Sequence, residues 1–298
     1  MKFMLSLWKS IKTILTSPEM FKKAYIEITN NCNLNCGFCH GTKRQPSFML
    51  PSDFYYVANE LRRYTQYIYL HVLGEPLLHP NFDDILAICA ELDFNICITT
   101  NGFLVPEQTA ALCKYPVYKL SLSLHSFEAN PDIKTFDEYM CSVAGIGSVL
   151  SKKGTIIAYR LWNNGGENTM NESIKEYLYN IFTDEKTPTA RGVRLAKNIF
   201  IEDADVFGWP DMNAEETDTE FCMALRDQIA ILCDGTVVPC CLDAEGDIPL
   251  GNIFTSSLAD ILSSVRAKTL YDGFTNHNPS EALCRRCAFA AERFKRRN

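Results

Sequence analysis

Four stretches of the chain alternate strictly between aliphatic and polar residues, and this constrains the fold more than any other feature. In YKLSLSLHS (118–126), Leu120, Leu122 and Leu124 oppose Ser121, Ser123 and His125. In AYIEITN (24–30), Ile26 and Ile28 oppose Glu27 and Thr29. In YIYLHVLGEP (67–76), Ile68, Leu70 and Val72 oppose Tyr69, His71 and Glu75. In FNICITTNG (94–102), Ile96 and Ile98 oppose Cys97, Thr99 and Asn101. A period of two places these sets on opposite faces of a sheet. Strands of a doubly wound sheet are apolar on both faces. Here one face can pack under helices, while the other must line something wet or ligand-filled, because unpaired polar groups are costly to bury.

Helix-like runs separate the strands, at 52–65, 81–92, 106–114, 135–151 and 171–182, with further strands at 155–162 and near 192–201. Six strand–helix units in succession imply a parallel sheet with helices outside. A full TIM barrel needs eight units and fills its interior with branched apolar side chains. The expected fold is therefore α/β, a partial (β/α)6 TIM-like barrel over 24–201 with a polar lumen. Residues 202–220 hold eight acids and no base, and read as a solvated linker with a Gly-Trp-Pro turn. From 221 to 298 the cysteines cluster and the strands shorten, so a small second domain is expected there.

Residues 1–23 begin with a helical stripe of Met4, Trp8, Ile11 and Leu15, with Lys2, Lys9 and Lys12 elsewhere. This is expected to be a helix packed across the base of the barrel, and peripheral membrane contact is the alternative. It lacks the apolar core and cleavage site of a secretory signal. No long uncharged apolar window suggests a membrane span. The thirteen cysteines are then expected in a reducing, cytoplasmic setting, where metal binding is a better explanation than disulfides. A net charge of −7 argues against a general nucleic-acid binder.

Cys32, Cys36 and Cys39 form CxxxCxxC just after the first strand. Parallel barrels place their chemistry at the C-terminal ends of strands, so these thiols belong at the mouth of the lumen. Three thiolates leave one iron of a four-iron cluster open to another ligand. The alternative is a zinc ion held with His40, but adjacent residues such as Cys39 and His40 rarely reach one tetrahedral ion together.

With this motif the chain resembles the radical S-adenosylmethionine (radical SAM) superfamily over roughly residues 24–200. Phe38 takes the motif's aromatic position, Gly74-Glu75-Pro76 is similar to the family's GGEP with Leu73 in place of the first glycine, and Thr99-Thr100-Asn101-Gly102 ends the third strand as in many members. The resemblance implies a [4Fe-4S] cluster on Cys32, Cys36 and Cys39 whose open iron binds S-adenosylmethionine. It implies reductive cleavage to a 5′-deoxyadenosyl radical that abstracts hydrogen from a substrate. It also implies that Glu75 and the Gly74 backbone hold the methionyl amine, and that Thr99, Asn101 and Ser123 face ribose and carboxylate. Arg160 is the candidate carboxylate clamp, and His125 is a candidate proton acceptor. His71 and His79 are expected to be structural.

A second set comprises Cys222, Cys240, Cys284 and Cys287, with Cys241 an alternative to Cys240. Four thiolates suit zinc or iron–sulfur. Asp234-Gly235 between IAIL and TVVP reads as a hairpin turn. This region resembles the SPASM/twitch appendage of radical SAM enzymes, truncated after CRRC, which implies one fully ligated auxiliary [4Fe-4S] cluster. Cys89, Cys97, Cys113, Cys141 and Cys233 are expected in the core or lumen, and the basic tail from Arg285 to Arg297 on a solvated face.

A fully ligated auxiliary cluster suits electron transfer. The expected function is thus a radical SAM oxidoreductase oxidising a small molecule, fed by a reductase such as flavodoxin or ferredoxin. Peptide maturation is the rival, and a zinc-stabilised interaction module is a third, non-enzymatic alternative.

Overall fold

The structure is a computed structural model that describes residues 21–294. The expected N-terminal helix falls outside the described residues except for its last three positions.

The expected alternation is present. The order is β1 (Lys23–Ile26), α1 (Pro51–Leu61), β2 (Tyr67–Tyr69), α2 (Phe82–Glu91), β3 (Asn95–Thr100), α3 (Val105–Lys114), β4 (Val117–Ser123), α4 (Phe136–Lys152), β5 (Ile156–Asn164) and α5 (Asn171–Ile181). Then follow β6 (Thr187–Thr189), β7 (Gly192–Ala196), β8 (Ile199–Asp205), β9 (Gln228–Ile231), β10 (Thr236–Val238) and β11 (Gly251–Asn252). Helices α6 (Leu258–Ser263), α7 (Val265–Thr275), α8 (Ala282–Arg285) and α9 (Ala288–Arg293) complete the described chain.

These strands form one eleven-stranded sheet in the order β11-β10-β9-β1-β2-β3-β4-β5-β8-β7-β6. The run from β9 through β1 to β5 and β8 is parallel, and antiparallel strands extend both ends. The sheet does not close, as the partial-barrel expectation requires. The cysteine-rich C-terminal segment joins it directly, because β9 pairs in parallel with β1.

The aliphatic faces carry the core. Ile26, Ile28, Ile68, Leu70, Ile96, Ile98, Leu120, Leu122 and Leu124 are buried against Phe54, Leu86, Leu112 and Val143 of the helices. Each such side chain contributes about 1.5–3 kcal/mol of burial. Helix α4 begins with a full capping box, Thr135 and Glu138 satisfying each other's backbone amides.

Three sequence expectations need correction. The second strand stops at Tyr69, so the alternation lapses, and Val72 lies with Tyr25, Leu73 and Ala230 on the lumen side. The sixth strand is a hairpin, with only β8 parallel to β5. The chain reverses at Asn198, whose φ of 63° is one that asparagine tolerates. Residues 202–205, expected in the linker, continue β8.

Candidate functional site

The loop after β1 is tied at both feet. Thr29 Oγ1 donates to Ser47 O at 2.8 Å, Asn30 Nδ2 to Gln45 O at 2.9 Å, and Ser47 N to Asn30 Oδ1 at 2.7 Å. The excursion between these ties carries Cys32, Cys36 and Cys39. All three line one cavity of about 260 Å³ at the C-terminal end of the strands.

The same cavity is lined by Phe38, Gly74, Glu75, Thr99, Asn101, Ser123 and His125, which gathers every expected barrel residue except Arg160. Arg160 is off that wall, level with Ser123 in the sheet register, and donates from Nη1 to Thr99 Oγ1 at 3.3 Å. Its guanidinium lies 3.7 Å from Glu202 and 4.3 Å above the Trp162 ring, and its Nε is buried without a hydrogen-bond partner.

A hydrogen-bond donor faces each of the three sulfurs. Asn130 Nδ2 stands 3.2 Å from Cys36 Sγ and also donates to Ser126 O. Asn101 Nδ2 lies 3.9 Å from Cys32 Sγ and 2.9 Å from Asn33 Oδ1. The Gly41 amide faces Cys39 Sγ at 3.5 Å. Donors of this kind stabilise negative charge on sulfur. Burial pushes the Cys32 thiol up to about 11, and a metal must offset this when it displaces the proton. Asn130 had no sequence signal, because it lies in an irregular loop far from the motif it serves.

Glu75 is almost fully buried and acts as a brace. Its carboxylate accepts from Leu77 N at 3.0 Å and Asn101 N at 2.8 Å, joining the ends of β2 and β3. Burial raises this carboxyl to about 7, against the hydrogen bonds that pull it down. The Glu75 amide in turn donates to Asn31 O at 2.7 Å.

The histidines separate by environment. His40 is absent from the cavity wall and stacks on Trp209 at 5.8 Å. His79 is structural, meeting Met49 O through Nε2 and accepting from Asn81 N at Nδ1. His71 lines the cavity, with Nδ1 lacking a hydrogen-bond partner, and burial lowers it to about 3. His125 meets Arg160 O at 3.1 Å, its ring is 4.7 Å from Phe38, and burial lowers it to about 4. Both are therefore neutral near pH 7.

Cys222, Cys240, Cys284 and Cys287 line a second, smaller cavity of about 50 Å³ with mostly apolar walls, including Leu283, Phe274 and Phe289. Burial raises the thiols of Cys222 (to about 11), Cys240 and Cys284, and neighbouring thiols add to the effect. The hairpin turn at Asp234-Gly235 is formed, with Gly235 at a φ of 83°. It delivers Cys240 to this cavity, whereas Cys241 packs against the lumen-side cluster that contains Tyr25. Among the described residues, no three Cys, His, Asp or Glu side chains converge on a single-ion site.

Residues 26–144 match the model of the radical SAM superfamily, and residues 222–288 match that of an iron–sulfur cluster-binding domain, SPASM. The chain therefore carries a radical SAM domain followed by a SPASM-type iron–sulfur cluster-binding domain. Both implied groups, a [4Fe-4S] cluster with S-adenosylmethionine and auxiliary iron–sulfur, agree with three thiols on a roomy cavity and four on a compact one.

Among curated relatives, the chain is 28% identical over 124 residues to an S-adenosylmethionine-dependent nucleotide dehydratase of Thermoplasmatales archaeon (strain ISO4-H5), covering 42% of this chain and 45% of that protein. It is 29% identical over 116 residues to the GTP 3′,8-cyclase of Aquifex aeolicus (strain VF5), covering 36% of this chain and 35% of that one. The chain thus spans less than half the length of these relatives. Among solved structures, BtrN in complex with AdoMet and 2-DOIA superposes with a TM-score of 0.57 at 17% identity, over 90% of this chain and 92% of BtrN. Streptococcus suis SuiB bound to precursor peptide SuiA superposes with a TM-score of 0.57 at 16% identity, over 95% of this chain and 73% of SuiB. At these identities the likeness is one of fold. No helix among the described residues is long and apolar enough to cross a membrane.

Proposed function

We propose that the protein is a radical SAM oxidoreductase of the cytoplasm with two [4Fe-4S] clusters, one on Cys32, Cys36 and Cys39 and one on Cys222, Cys240, Cys284 and Cys287. The observation that carries this is the contrast between the two cavities. Three thiols face a volume about five times that faced by the other four. The first leaves room for S-adenosylmethionine and substrate, and the second encloses a complete thiolate set.

When bound, the first cluster would supply the electron for reductive cleavage of S-adenosylmethionine, and the second would serve as an electron acceptor for oxidation of the substrate. The chain's own residues hold and shape the reactants. Asn130, Asn101 and the Gly41 amide steady the three sulfurs. Glu75 fixes the Gly74 and Asn101 loops around the methionyl end, with Thr99 and Ser123 offering hydroxyls to its polar groups. Arg160, aimed by Thr99 and Trp162, is the clamp for a carboxylate. His125, on the cavity wall, is the candidate proton acceptor for the oxidised substrate.

The substrate is proposed to be a small molecule, and the electron donor a flavodoxin- or ferredoxin-like reductase. The fold shared with SuiB favours a peptide substrate as the second reading. The test is anaerobic incubation of reconstituted protein with dithionite and S-adenosylmethionine. 5′-Deoxyadenosine should appear with the wild type and be absent with Cys36→Ala. No 5′-deoxyadenosine from iron-loaded wild type would contradict the proposal.

A further inference from the structure

The larger cavity has one foreign wall. Its lining residues come from positions 30–126, with the single exception of Trp209. Trp209 lies in the irregular segment between β8 and β9, expected from its acidity to be a solvated linker. Its Nε1 donates to Phe38 O at 3.3 Å, inside the CxxxCxxC loop, and its ring stacks on His40. The indole is only partly exposed and packs against the lumen cluster of Tyr25, Val72 and Leu73.

The same segment reaches the second cavity. Pro210, the next residue, lines it. Phe207 packs edge-on to Phe289 of α9 at 5.3 Å, and Phe289 also lines that cavity. Gly208 sits so close to α9 that an added Cβ would lie 3.1 Å from the Ala288 Cβ. Phe207 also touches Trp209 at 5.3 Å. Four consecutive residues therefore strap one cysteine site to the other.

We propose that Trp209 is an S-adenosylmethionine-binding residue, and that Phe207–Pro210 holds it in place from the auxiliary site. The inference rests on the larger cavity being the S-adenosylmethionine site. An indole face suits this ligand at two points, since it attracts a sulfonium cation and stacks on a purine. The auxiliary site then shapes the radical site mechanically as well as electronically.

The test is equilibrium binding of S-adenosylmethionine to anaerobically reconstituted holoprotein, expressed per loaded first cluster, with iron and sulfide measured alongside. Trp209→Ala should weaken binding about tenfold, the scale of one cation–π or stacking contact, and Trp209→Phe by less than about threefold. Phe207→Ala leaves every cysteine and Trp209 in place, and should also weaken binding at unchanged iron content, with Phe207→Leu restoring it. Wild-type affinity in Trp209→Ala would overturn this inference alone. No binding by the wild-type holoprotein would overturn the assignment of the cavity, and this inference with it.

Discussion

Replacing Arg44 by alanine should cost about 3–5 kcal/mol of folding stability, because it strands a buried carboxylate. Glu27 is fully buried immediately after β1, and Arg44 meets it with two hydrogen bonds, Nη1 to Oε2 at 2.8 Å and Nη2 to Oε1 at 2.6 Å. The pair is also a junction. Arg44 Nε donates to Ala244 O at 2.8 Å, four residues beyond Cys240. Glu27 accepts from Leu73 N, next to Gly74, and from Cys233 N in the C-terminal hairpin. One ion pair thus ties the cysteine loop, β1, the Gly-Glu-Pro turn and the second cysteine region together. The double variant Glu27→Leu/Arg44→Leu should lose less than Arg44→Ala alone, because no charge is left buried without its partner. Urea denaturation of the three proteins checks this. Equal stability of wild type and Arg44→Ala would show that the pair contributes nothing.

Gly74→Ala should be nearly as damaging. Gly74 has a φ of 76°, which costs an L-residue about 1–2 kcal/mol. A Cβ there would lie 2.3 Å from Thr29 O and 2.8 Å from Asn31 O. Both are backbone atoms at the root of the cysteine loop, so relief requires moving the loop itself. The total should exceed about 3 kcal/mol, in the range reserved for named structural faults. Bound iron should fall with it. Gly37→Ala is the control, since nothing lies within 4 Å of its added carbon and its φ is not positive. It should match wild type in melting temperature and iron content. If Gly74→Ala does so as well, the close approach of the two loops is not structurally required.

The barrel was legible where side chains alternate over a full strand. Leu120, Leu122 and Leu124 against Ser121, Ser123 and His125 announce two faces, and the structure buries the leucines under helices. Legibility failed where contacts are long-range. Val72 continues the written alternation, but its strand has already ended at Tyr69. Glu27 reads as a lumen polar residue, because its partner Arg44 lies on a loop with no periodic pattern. Asn130 reaches Cys36 across 94 positions of sequence. Trp209 is embedded in acids that suggest solvent, yet it closes the cavity. Local pattern reports faces and turns, whereas a loop's partner is chosen by tertiary geometry.

The most direct test of the two-cluster account is iron and acid-labile sulfide on anaerobically purified protein. Wild type is compared with Cys32/Cys36/Cys39→Ala and with Cys222/Cys284/Cys287→Ala. About eight irons and matching sulfide are expected in wild type, falling to about four in each variant. Zinc without sulfide, or iron that neither variant halves, would contradict it.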